Sequence, residues 1–171
     1  MKLILMMAMT LDGIIAKDKT QNANWTTAAD KRAFIAETKK HGVIIMGDTT
    51  YFLINKPLPG RLNFILSLTP EKFKDQEIPG TLEFFKGEPQ EVLTVLEKKG
   101  FASAILGGGA GTNAAFLTAG LVDEILITVE PKVFGRGLNF TEGQNLDIDL
   151  KLIEVKEIGD NAVQLRYKII K

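Results

Sequence analysis

The stretch "AILGGGAGTNAAFL", Ala104 to Leu117, runs from an apolar segment into four glycines within five positions and out again into a helical pattern. Glycine lets the backbone turn sharply and come close to a ligand. The first turn of a following helix presents unpaired N–H groups and a partial positive charge. One glycine would serve a plain strand-to-helix turn. Gly107, Gly108, Gly109 and Gly111 together, with Ala110 and Thr112 beside them, point instead to a cradle for a phosphate or pyrophosphate. It is not a P-loop, because no Gly-Lys-Ser/Thr follows. Gly109, Gly111 and Ala114 meet the glycine spacing of the dinucleotide fingerprint, and Glu130 lies about twenty residues further on. A doubly wound dinucleotide domain would need further βαβ units after that point, and only a loop and a hairpin remain.

Outward from the glycines, short apolar runs alternate with helical patterns. "KLILMMAM" is followed by a helix from about Ala28 to Lys40, then "VIIMG", "LNFILS" and "TLEFF". After these come a helix from about Gln90 to Lys99, "FASAILGGG", a helix from about Thr112 to Ala119, and "DEILITVE". Strands that are continuous apolar runs between helices predict an α/β domain with a mostly parallel central sheet flanked by helices. The end differs: "LKLIEVKEI", "GDN" and "AVQLRYKII" predict a C-terminal antiparallel hairpin. Residues 69 to 80 and 131 to 149 are long loops, a length that is often functional.

Length and composition narrow the function classes. At 171 residues and 45% hydrophobic, residues 1–171 form a single domain with one proper core. Lysine plus arginine equals aspartate plus glutamate at 21 each, so no global field attracts nucleic acid or an anionic membrane surface, and small molecules are the expected partners. The absence of cysteine excludes disulfides, thiol catalysis and cysteine-bound zinc, and leans cytoplasmic. The apolar run Leu3 to Met9 has strand length, too short to span a membrane. The only histidine, His41, excludes a His-pair metal site; followed by Gly42, it reads as a cation in a helix's last turn with a glycine cap. No metal is expected. The apolar edge strands are compatible with a homodimer.

Asp30, in "NWTTAADKRAF", admits two readings. Thr27 followed three residues later by an acid is the pattern of a capping box, in which the carboxylate bonds the cap residue's own N–H. Yet Asp30, Ala33 and Phe34 share a helix face, so the carboxylate shares its direction with an aromatic that should point inward. In a partly dry cleft its pKa would rise from about 3.9 toward neutrality, suiting it to donate a proton or to bind a base. Spacing alone leaves both open. Arg61 opens a strand after the Pro59-Gly60 turn, where it is either solvated or grips an anion.

Taken together, "MAMTLDGIIA", "WTTAADKRAF", "VIIMGDTTY", "KPLPGRLNFILS" and "AILGGG", in that order, resemble the dihydrofolate reductase superfamily along nearly the whole chain. The later "GLVDEILITVEPKVFGRG" and "VQLRYKII" are similar to the reductase domain at the C-terminal end of the riboflavin-biosynthesis deaminase-reductase. The resemblance implies a nicotinamide-dependent reductase acting on a pterin or a ribosylaminopyrimidine. Asp30 then falls on the acid that engages the substrate ring and Thr128 on its hydroxyl partner, the two catalytic candidates. Ala8, Trp25, Phe34 and Arg61 fall on substrate positions, with Arg61 gripping a carboxylate or ribose phosphate. Ile15 and Ala16 would flank the nicotinamide. Gly47, Asp48, Thr49, Thr50, Leu66, Ser67 and the glycine turn from Gly107 to Thr112 would contact the cofactor. NADPH is the implied cofactor, with NADH the alternative because Asp48 stands where folate reductases carry an arginine for the 2′-phosphate; Lys72 or Lys74 is placed to compensate. A reading from another class is a non-catalytic nucleotide or pterin binder that keeps the fold.

Overall fold

A computed structural model describes residues 1–171. Eight strands form one sheet in the order β4-β3-β2-β5-β1-β6-β8-β7. β1 (Lys2–Thr10) lies between β5 (Ser103–Leu106) and β6 (Glu124–Glu130), and β2 (Val43–Gly47), β3 (Leu62–Leu66) and β4 (Leu82–Phe85) extend the parallel half. Alternate side chains fill two layers. Leu3, Leu5, Val43 and Ile45 face one core, and Ile4, Met6, Ile44 and Met46 the other. Both faces are covered, which is why these strands read as unbroken apolar runs.

The order of the parallel strands reverses once. The chain moves outward from β1 through β2 and β3 to β4, then returns to insert β5 between β2 and β1. At such a switch point the connections leave to opposite sides and open a crevice beyond the strand C-termini. Gly47, Leu106 and Thr10 end their strands at this rim.

α1 (Ala28–His41) and α3 (Pro89–Lys98) match the expected helices to within one residue at each end, and α4 (Ala110–Thr118) starts two residues before the expected Thr112, with Gly109 as its N-cap. α2 (Asp48–Ile54) is absent from the sequence reading, because "DTTYFLI" is β-branched and aromatic and favours strand locally. Burial of Tyr51 against Phe84 overrides that preference, and Asn55 stops the helix at φ +58°.

β7 (Leu150–Gly159) and β8 (Ala162–Ile169) form the antiparallel hairpin, turning on Asp160 and Asn161 at φ +53° and +60°. β8 pairs with β6, leaving β7 as an exposed edge. Residues 70–76, expected as loop, form a short 3-10 turn. Gly42 caps α1 as expected, but His41 is not the expected cation. Its ring is buried between Ser103 Oγ (2.6 Å) and Glu37 Oε1 (3.3 Å), and burial pushes its pKa below the ordinary value. No helix is long and apolar enough to cross a membrane.

Candidate active site

A cleft of about 1530 Å³ opens over the C-terminal ends of the parallel strands. Single drug-sized ligands occupy roughly 300–1,000 Å³, so there is room for two molecules end to end. The glycine turn and Asp30 both line this one cleft.

At one end, β2 and β5 bring their terminal glycines together. Gly47 N donates to Gly108 O at 2.8 Å, locking the two strand ends side by side. A Cβ on Gly47 would lie 2.7 Å from Thr112 Oγ1, and one on Gly109 would lie 3.0 Å from Thr50 Oγ1. Any other residue would fill the cradle between the α2 and α4 N-termini. Gly107, Gly109, Ala110, Gly111 and Thr112 line it, as do Gly47, Asp48, Thr49, Thr50, Leu66 and Ser67. Gly108 does not; it supports the turn from behind, against Met7.

At the other end, α1 delivers Asp30, and the competition between its two readings is decided by hydrogen bonds from far along the chain. The Thr27 N–H donates to Glu130 Oε1 at 3.0 Å, and the Thr27 hydroxyl donates to the same atom at 3.1 Å. Thr27 Oγ1 accepts from Asp30 N at 3.2 Å, and Ala29 N donates to Asp160 Oδ2 at 2.8 Å. The N–H groups of Thr27, Ala29 and Asp30 are thus satisfied without the Asp30 carboxylate. Half of the capping box exists; the half that would occupy Asp30 is taken by Glu130. Glu130 is therefore a helix anchor, fully buried on β6 and absent from the cleft lining, not the ribose-binding acid of a dinucleotide fingerprint.

Asp30 is only 7% exposed. Burial pushes its carboxyl above the ordinary value, while the hydroxyls of Thr128 and Thr26 and the charge of Lys31 draw it partly back. Thr128 sits beneath it, buried on β6 and outside the lining itself. Ala8, Trp25 and Phe34 wall the cleft, and Ile15 and Ala16 border it from the loop after β1. That loop is stapled to the segment after β6: Ile15 N donates to Leu138 O (2.8 Å), Leu138 N to Ala16 O (2.7 Å), and Gly135 N to Asp12 Oδ2 (2.6 Å).

Arg61 departs from its expected place. It does not line the cleft and is 5% exposed. Its Nε and Nη2 donate to Pro59 O, and Nη1 donates to Thr38 Oγ1. With its donors held by the scaffold, it is not positioned to grip a substrate anion. Lys19, Lys31, Lys56 and Lys86 are the lysines that line the cleft, Lys31 directly after Asp30. Lys72 and Lys74 also lie outside the lining; Lys86, directly after β4, lines it, as do Asp48, Glu88 and Glu91. The sequence reading missed Thr26, Lys31 and Glu142 as lining residues. Lys31 follows Asp30 directly and was legible by adjacency. Glu142 comes from the long loop, whose length was the only signal.

A mostly parallel sheet with one switch-point crevice, into which a glycine turn and a buried acid face, is the fold of the dihydrofolate reductase-like class. The family model of the RibD C-terminal domain matches residues 63–164, and the chain belongs to that family. Two Bacillus subtilis proteins align over nearly its full length: YyaP, 24% identical over 182 residues, and YwjB, 26% over 175, each covering 97% of this chain and 94% and 97% of the relative. Among solved structures, a deaminase/5-amino-6-(5-phosphoribosylamino)uracil reductase from Thermotoga maritima superposes with TM-score 0.81 at 20% identity. The alignment spans 99% of this chain but 56% of that one. Dihydrofolate reductase from Enterococcus faecalis, complexed with NADP(H), superposes at 0.78 with 19% identity over 99% and 97% of the two chains. At these identities the superpositions establish the shared fold.

Proposed function

We propose that the protein is a nicotinamide-dependent reductase that delivers a hydride to a pterin- or aminopyrimidine-type heterocycle. The observation that carries this reading is the buried Asp30 carboxylate, free of capping duty, sharing one two-ligand cleft with the glycine cradle. The cradle fits a pyrophosphate because only glycine leaves room between Thr50 and Thr112, and the α4 N-terminus offers its N–H groups there. When bound, the reduced nicotinamide supplies the hydride.

The chain's own residues bind, orient and manage the proton. Ile15 and Ala16 border the middle of the cleft, where the two ligands would meet. Asp30 accepts ring N–H or amino donors of the heterocycle, or holds the proton that accompanies hydride addition to a C=N bond. Its raised pKa suits the second role. Thr128 and Thr26 are the hydroxyls that act on the carboxylate. Trp25 and Phe34 supply a flat apolar wall and exclude water. Lys31, beside Asp30, takes the part expected of Arg61, suiting an anionic tail of the substrate.

For the dinucleotide, the lining carries Asp48 at the α2 N-terminus, and the segment after β4 adds Glu88 and Glu91 with one lysine, Lys86. A 2′-phosphate there would meet more carboxylate than cation, whereas a free ribose 2′-hydroxyl can donate to Asp48, so we favour NADH over NADPH. The test is oxidation of each dinucleotide with dihydrofolate and with the ribosylaminopyrimidine phosphate of riboflavin biosynthesis. Turnover with either substrate is the expected result. Tight dinucleotide binding without any turnover would leave a binding protein of the same fold.

A further inference from the structure

The most buried acid near the cleft is one the proposed chemistry does not use. Glu130 ends β6 with no exposed surface; its Oε1 takes both donors of Thr27, and its Oε2 has no partner at all. An orphaned carboxylate oxygen in a dry site is costly, and Thr27 uses only the other one. What the carboxylate does achieve is visible in the register. Thr128 and Glu130 are two apart on β6 and so share a face of the strand; Thr128 lies under the Asp30 carboxylate, while Glu130 holds the residue that caps its helix.

We propose that Glu130 is a positioning residue, which keeps the Asp30 carboxylate aimed into the cleft by taking the Thr27 N–H that a third-position acid otherwise accepts. In a helix that begins Thr-Ala-Ala-Asp, the carboxylate and the cap residue's N–H are natural partners. Occupying that donor from a strand 103 residues away leaves Asp30 nothing to turn back to. Removing the acceptor should let Asp30 swing onto the Thr27 N–H, out of the cleft and into a bond that stabilises its charged form. The inference concerns the acid on which the proposed reductase depends, and it can be read without turnover.

The experiment is carbon-13 NMR titration of the Asp30 carboxyl in the full chain. Lys31 is the charged group acting on that carboxyl, and Thr26 and Thr128 are its neutral partners, so these are left unchanged. In Glu130→Met, which fills the space without an acceptor, and in Glu130→Ala, the titration midpoint should fall by about one pH unit or more. Glu130→Gln keeps an oxygen for Thr27 without a carboxylate, so its midpoint carries only the electrostatic effect of the substitution, and the Met and Ala midpoints should lie below it. That variant separates loss of charge from loss of the acceptor. Combining Glu130→Met with Thr27→Pro removes the competing N–H at a residue whose φ of −67° already suits proline, and should return the midpoint to that of Glu130→Gln. A midpoint in a folded Met or Ala variant no lower than that of Glu130→Gln overturns the proposal. So does failure of both to fold while the Gln variant folds, because Glu130 would then hold the helix and not the carboxylate. If the midpoints move as expected but no substrate turns over, the reductase reading fails alone.

Discussion

At the scale of single residues, the question is whether Asp30 stabilises the fold or costs it stability. Burial raises its pKa above the unfolded value, so the charged form is disfavoured in the folded protein at neutral pH. Its contribution to stability is fully present below the unfolded pKa of about 3.9 and is lost as the pH rises through the folded one. Asp30→Asn should therefore raise the melting temperature at pH 7, with the gain vanishing in acid. A capping acid would show the opposite sign, a loss of about 1 kcal/mol. The same variant should lower turnover by about 100-fold or more while leaving dinucleotide affinity unchanged, as single-turnover kinetics and calorimetry would measure. Arg61 gives the complementary case. Its position beside Pro59-Gly60 was legible, but the turning of its guanidinium onto Pro59 O and Thr38 was not, because Thr38 belongs to a different element.

At the scale of elements, the glycine turn works by the closeness of two strand ends and two helix N-termini. Gly47→Ala places a methyl 2.7 Å from Thr112 Oγ1, a short β-branched side chain with little room to yield. Dinucleotide binding should weaken by about tenfold, equivalent to about 1.4 kcal/mol, with the Asp30 end of the cleft undisturbed. Titration calorimetry with NADH would measure the first, and binding of a heterocycle alone the second. The loop bordering the cleft depends on its staple to the segment after β6. Gly137 sits at φ +155°, and a Cβ there would lie 2.3 Å from Ala16 O, the acceptor for Leu138 N. Gly137→Ala should break that pairing and cost about 1–3 kcal/mol in denaturant unfolding. The strand of the glycine turn and its helix were legible from apolar runs and glycines. α2 was not, since its local preference opposes the helix that packing imposes.

At the scale of the whole molecule, α1 is tied to the sheet at both ends. Thr27 and Ala29 are held by Glu130 and Asp160. At the far end Glu37 meets Arg166, whose guanidinium also binds Glu124 on β6 at 2.7 Å. His41 lies in that second knot, and burial lowers its pKa. A buried neutral histidine contributes stability above its unfolded pKa of about 6.5, and that term is lost as the pH falls through the folded value. The wild type should lose melting temperature between about pH 7 and 5, and His41→Gln should flatten this step while leaving the later acid loss from Glu37 and Glu124, whose pKa values are lowered by their ion pairs. Scanning calorimetry across pH would show it.

The sequence by itself determined the α/β class, the succession of strands and helices, the closing hairpin and the glycine cradle. Each of these is written in neighbouring residues, through hydrophobic period, turn chemistry and the conformational range of glycine. Only the tertiary structure decided that the Asp30 carboxylate is spared from capping, where Arg61 points and that His41 is buried in a polar knot. In each case the deciding hydrogen bond joins elements far apart in the chain, between Thr27 and Glu130, Arg61 and Thr38, or His41 and Ser103. A donor's partner is the acceptor that folding brings nearest, and local spacing carries no record of that.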